Sequence, residues 1–121
     1  MNETNFLKVI NFNKSFGIPV FKCLQKNITK EDPDLIKYRL SLINEEVEEL
    51  KDAVDNNDFK EIVDALGDIL YVVYGMGTSI GVNLDDAFKI IHESNMSKLC
   101  NSEDEAIKTV EWYKNNEKKY D

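Results

Sequence analysis

Apolar residues recur along this chain at helical spacing. Ile36, Leu40, Ile43, Val47, Leu50 and Val54 follow one another by fours and threes. At 100° per residue they form one continuous stripe on a helix that must pack against something. Asp32 and Pro33 read as the N-cap and first helical position of that helix, which extends to about Asn56. A second pattern begins near Asn57 or Asp58 and runs to about Ile80, with Phe59, Ile62, Leu66, Ile69, Val73 and Gly77 on its stripe and a break at Gly81. An earlier helix is predicted over about residues 3–15, ahead of the breaker FGIPV at 16–20, and an irregular stretch follows to about residue 31. Asn83 can cap a fourth helix, with Asp86 in its first turn, reaching about Leu99. Ser102 and Glu105 have the spacing of a capping box and open a fifth. There is no convincing strand signal, repeat or linker. The expected fold is all-α: one domain over residues 1–121, a bundle of about five helices.

Composition narrows the range of partners. With 121 residues the chain can bury a core of its own, although helices apolar on two sides in so small a chain favour completion by a partner. A net charge of −8 opposes binding to a nucleic-acid polymer or an anionic membrane. A small anion remains acceptable if divalent cations bridge it to carboxylates, because the ion reverses the local field. Cys23 and Cys100 lie far apart, without zinc-site spacing, and fit a reducing interior. The start MNETNFLKVINF has no signal-peptide pattern, and the uncharged run ILYVVYGMGTSIGVNL at 69–84 is short for a membrane span. A cytoplasmic protein with no membrane association is the expectation.

The candidate chemistry lies in the acids. Residues 44–53 read NEEVEELKDA. With Ile43 as zero, Glu45, Glu46 and Glu49 fall at about 200°, 300° and 240°, beside Leu42 and Ala53, while Glu48 points away at about 140°. On the next helix Glu61, Asp64 and Asp68 lie within about 60° of one another, opposite its main apolar stripe. Two helices joined by a short turn pack antiparallel and can bring these clusters into register. Six carboxylates gathered without cations would repel, and some would have to take up protons. Two readings stand: a solvated acidic face, or the wall of a metal site whose oxygen-only donors select hard ions such as Mg²⁺ or Mn²⁺.

The stripe of the fourth helix, Leu84, Phe88 and Ile91, continues onto Asn95 and Lys98. An amide and a cation stand where the pattern calls for apolar residues. They either sit at the bundle's edge or reach into a cleft, where the ammonium can hold a phosphate and the amide a base or sugar. His92, the lone histidine, lies off the stripe and fits a surface or capping role. Tyr71 and Tyr74 read as core residues of the third helix, with base stacking the alternative for one of them.

Glu45-Glu46-x-x-Glu49, followed one helix later by Glu61-x-x-Asp64, resembles the motif of the all-α nucleoside triphosphate pyrophosphohydrolases, the MazG-like superfamily, and in particular its phosphoribosyl-ATP pyrophosphohydrolase-like branch. SFGIPV at 15–20, DALGDILYVVYG at 64–75 and HESNMSKL at 92–99 extend the likeness over about residues 10–100. The resemblance implies an all-α bundle completed as a homodimer or tetramer. It implies Mg²⁺-dependent hydrolysis of a nucleoside triphosphate, such as dUTP or a non-standard nucleotide, to the monophosphate and pyrophosphate. Glu45, Glu46, Glu49, Glu61, Asp64 and Asp68 would bind the metal, with Glu45 or Glu46 as general base. Lys98 would bind phosphate, Asn95 the nucleoside, and Phe16 or a neighbour in the SFGIPV loop would pack against the base, with Tyr71 the substrate-binding aromatic of the third helix. Eleven residues separate Glu49 from Glu61, an interval short for the family, which leaves Glu61 and Asp68 as alternatives for completing the metal shell with Asp64. The rival readings are phosphoribosyl-ATP as the substrate, and a non-catalytic acidic helical module that binds a basic partner.

Overall fold

The computed structural model describes residues 3–99 and 103–116, and every element among them is helical. In order these are α1 (Asn5–Ser15), α2 (Ile28–Glu31), α3 (Pro33–Asp55), α4 (Phe59–Ile80), α5 (Leu84–Leu99) and α6 (Glu103–Asn116). The all-α fold is as expected; the sixth helix is the single turn α2, inside the stretch read as irregular. The chain falls into two compact units, Met1–Asp85 and Asp86–Asp121. Among the described residues no single helix is long and apolar enough to cross a membrane.

Helix starts follow the capping chemistry of the sequence. The Thr4 hydroxyl accepts from the Leu7 amide at 3.1 Å, and the carboxylates of Asp32 and Asp58 accept from the amides of Leu35 and Glu61 at 3.3 and 3.2 Å. Asn83 likewise accepts from the Asp85 amide at 3.0 Å. The Ser102–Glu105 capping box lies outside the described residues and side chains. Between α3 and α4 the turn is only residues 56–58, with Asn57 at φ 53°, a left-handed conformation asparagine tolerates. So tight a turn sets α3 and α4 antiparallel, and they form the main packed pair of the first unit.

The C-terminus of α4 anchors the irregular segment. Gly81 ends the helix at φ 74°, and a Cβ there would stand 1.9 Å from the Cys23 carbonyl oxygen, so only glycine fits. Backbone amides of Phe21 and Gln25 donate to the carbonyls of Thr78 and Ile80 at 3.0 and 2.9 Å, satisfying groups the helix end would leave orphaned.

Packing departs from the expected stripes. On α3 the buried residues are Arg39 and Ala53, whereas Leu40, Val47 and Val54 of the apolar stripe are exposed. On α4 Ala65, Gly75 and Ser79 are buried, whereas Phe59 is 76% exposed and Leu66 50%. The rest of each stripe is covered in part: Ile36, Ile43, Leu50, Ile62 and Ile69 are half-buried and Gly77 is buried, while small and acidic residues take the contact between the helices. Small side chains let the two backbones approach closely, and the larger residues remain on the outer faces.

Candidate metal centre

The contact between α3 and α4 brings their acids together. One carboxylate oxygen from each of Glu46, Glu49 and Asp68 lies within 4.8 Å of the others. Glu46 and Glu49 are one turn apart on α3, and Asp68 faces them from the antiparallel α4. Oε2 of Glu46 is shielded from water and has no hydrogen-bond partner among the described residues. A charged oxygen in that position is costly.

The electrostatics record that cost. The Glu46 carboxyl is pushed up from 4.5 to about 7, first by loss of water, then by hydrogen bonding and the charge of Glu49, and by the charges of Asp68 and Glu45. Asp68 is also raised, by loss of water and by the charges of Asp64 and Glu49. Acids that must take up protons to coexist are poised for a cation, which would relieve both the repulsion and the orphaned oxygen. Three carboxylates and no nitrogen or sulfur donor suit a hard divalent ion.

The remaining expected ligands sit around this group. Asp64, one turn before Asp68, and Glu45, beside Glu46, act on it through charge and are exposed. Glu61 is exposed in the first turn of α4, about 10 Å along the axis from Asp68 at 1.5 Å per residue, and is not in the gathered group. Of the two acids that could complete the shell, Asp68 is the one brought to the α3 glutamates.

Phe16 and Tyr71 meet through a residue the sequence did not single out. Phe12 packs on Phe16 with ring centroids 4.5 Å apart and meets Tyr71 edge-on at 5.5 Å. Its place one turn before Phe16 on α1 was the available signal. Asn95 and Lys98 lie one turn apart on α5, exposed, in the second unit.

Sequence reasoning also missed Arg39, the chain's lone arginine. It is only 6% exposed, its Nε donates to the Ser79 hydroxyl at 2.8 Å, and its second terminal nitrogen is buried with no hydrogen-bond partner among the described residues. Burial pulls its pKa down, with the charge of Tyr38 opposing. Gly75 makes room for it: a Cβ there would stand 2.8 Å from a guanidinium nitrogen. A cation inside an apolar stripe was the clue. Next to it, Asn13 donates to the Thr78 hydroxyl at 3.1 Å, and Thr78 donates to the Gly75 carbonyl at 2.7 Å, so the α1–α4 contact is partly polar.

Residues 20–95, which include the acid group, match the phosphoribosyl-ATP pyrophosphohydrolase family. The chain belongs to that family. It therefore falls within the MazG-like all-α nucleoside triphosphate pyrophosphohydrolase superfamily, as the motif spacing implied. An uncharacterized protein of Acanthamoeba polyphaga mimivirus is 56% identical over 82 residues, which cover 68% of this chain and 33% of the relative. The chain thus spans about a third of that relative's length.

Proposed function

We propose that the protein catalyses Mg²⁺-dependent hydrolysis of a nucleoside triphosphate, a deoxynucleotide such as dUTP or a non-standard nucleotide, to the monophosphate and pyrophosphate. Membership of the pyrophosphohydrolase family supports this reading. The observation that carries it is the convergence of Glu46, Glu49 and Asp68 from two helices, with one Glu46 oxygen buried and unpaired among the described residues.

Glu46, Glu49 and Asp68 would hold the ion. Bound Mg²⁺, or Mn²⁺, would supply charge neutralisation on the phosphates and a more acidic water. Asp64 adds negative charge beside Asp68 and strengthens the site's preference for a dication. Glu45, exposed and next to Glu46, would take the water's proton as the bond between the α- and β-phosphates is cut, with Glu46 the alternative base. Without cations the net charge of −8 repels a triphosphate, so substrate and metal arrive as one complex.

The active form in this proposal is a homodimer in the cytoplasm. Val47 and Val54 of α3 and Phe59, Leu66 and Leu70 of α4 are exposed on the outer faces of the main helix pair, a surface that a second copy would cover. Light scattering should give twice the 14.0 kDa chain mass.

The deciding experiment follows pyrophosphate release from a panel of standard and damaged nucleotides and phosphoribosyl-ATP, with and without Mg²⁺. Turnover of one class, abolished by chelation and by Asp68→Asn, is expected. Release from phosphoribosyl-ATP alone would make this a biosynthetic enzyme of the same chemistry. No release from any substrate would leave the non-catalytic module.

A further inference from the structure

Two buried polar atoms have no hydrogen-bond partner among the described residues, Oε2 of Glu46 and Nη2 of Arg39, and they lie on one seam. Seven residues separate Arg39 from Glu46 on α3, and seven separate Gly75 from Asp68 on α4. At 100° and 1.5 Å per residue, the members of each pair are about 20° apart in direction and about 10 Å apart along the axis. The contact of Arg39 with Gly75 and that of Glu46 with Asp68 are therefore two levels of one antiparallel register. The turn at residues 56–58 ties the helices together about 14 Å from Glu46 at the same rise. Arg39 joins them again on the far side, so the acid group is bracketed.

The bracket works against a force. Before an ion binds, like charges on Glu46, Glu49 and Asp68 push α3 and α4 apart. At the level of Arg39 the buried residues of α4 are Gly75, Thr78 and Ser79, which offer little apolar surface to resist the push. What holds this end is directional. Side chains lean toward the N-terminus of their own helix, so Arg39 passes over Gly75 and donates through Nε to the Ser79 hydroxyl at 2.8 Å. The receiving stretch is braced in turn, because Thr78 donates to the Gly75 carbonyl and Asn13 of α1 donates to Thr78. A slip of one turn would set Arg39 against Tyr71 or Ser79, whose side chains fill the space that Gly75 leaves.

Stability alone does not account for this fit. No carboxylate among the described residues acts on the Arg39 charge, and an apolar side chain of similar volume often serves a buried site as well or better. What arginine adds is a long planar donor that seats in one register only.

We propose that Arg39 is a positioning residue for the metal centre: seated over Gly75 and bonded to Ser79, it clamps the open end of the α3–α4 pair and holds Glu46 and Glu49 at Asp68 before an ion arrives. The proposal rests on the metal-centre reading and on no particular substrate. Ligands gathered in advance bind more tightly, because the ion does not have to draw the helices together.

Titration of the full chain with Mn²⁺, the free ion counted by electron paramagnetic resonance, tests it beside thermal melts in chelator. Arg39→Met should weaken Mn²⁺ about ten-fold while the melting temperature in chelator stays at or above the parent's, since the buried charge and the enforced repulsion are both relieved. Arg39→Lys, which keeps a donor for Ser79, should recover most of the affinity. Gly81→Ala loosens the fold at Cys23 rather than at Arg39 and should leave Mn²⁺ binding within about two-fold. Where Arg39→Met does not fold, Ser79→Ala removes the acceptor alone and should weaken Mn²⁺ about three-fold or more. Parent-like affinity in the variant used overturns the proposal. An equal loss in Gly81→Ala does so too, because general loosening would then be enough. Binding by the parent with unchanged variants removes the clamp and spares the metal centre, whereas a parent that binds no Mn²⁺ removes both.

Discussion

Replacing Glu46 by Gln removes one charge from the acid group at almost constant volume. In the metal-free protein the Glu46 carboxyl is raised from 4.5 to about 7. At 1.36 kcal/mol per pKa unit this difference corresponds to at most about 3.4 kcal/mol. Solvent screening of a carboxyl that is only partly buried reduces it to about 1–2 kcal/mol. The sign follows from proton binding. Below pH 4.5 folded and unfolded chains both carry the proton, and the group costs nothing. Between 4.5 and about 7 the unfolded chain ionises first, so stability falls as pH rises, and above 7 the full cost persists. Glu46→Gln should therefore stabilise the metal-free protein at pH 8 by about 1–2 kcal/mol, roughly 3–10 °C in Tm, and flatten its profile over that window. Magnesium should reverse the order. At about 100 times its Kd it adds about 2.7 kcal/mol to the parent and less to the variant. Thermal melts of both proteins in chelator and in Mg²⁺, from pH 4 to 8, measure all of this. A destabilised metal-free variant at pH 8, or equal stabilisation of both proteins by Mg²⁺, would refute the convergence of these carboxylates on a cation.

Asp68→Asn should lower pyrophosphate release about 100-fold or more while Glu61→Gln stays within about three-fold, because only the first lies in the gathered group; steady-state assays compare them. Thr78→Val keeps shape but removes the bonds to Asn13 and the Gly75 carbonyl, and denaturant titration should show a loss of about 1–3 kcal/mol. Gly81→Ala forces a side chain into a left-handed position against the Cys23 carbonyl, and the strain alone should cost about 1–3 kcal/mol in the same titration.

The local rules were all written in the sequence. Asp32 with Pro33, Asp58 and Gly81 mark the ends of the two long helices because capping and left-handed turns are decided by one or two neighbouring residues. The turn α2 escaped notice because a four-residue helix has no periodicity to read. The motif acids and the family likeness were legible for the same reason: they are patterns of short range.

Which face of each helix turned inward was decided only in three dimensions. The hydrophobic pattern asks Val47 and Phe59 to pack and leaves the acids either solvated or gathered; in the structure Val47 and Phe59 are exposed and Glu46, Glu49 and Asp68 are gathered. A single helix cannot express the reason, since the fit depends on both at once: Ala53 of α3 and Ala65 of α4 are buried, and Arg39 of α3 finds its gap at Gly75 of α4. The choice of Asp68 over Glu61 follows from the same register, because antiparallel pairing fixes which turn of α4 lies opposite Glu46 and Glu49. Composition dictated the helices, and the geometry of two of them against each other made the site.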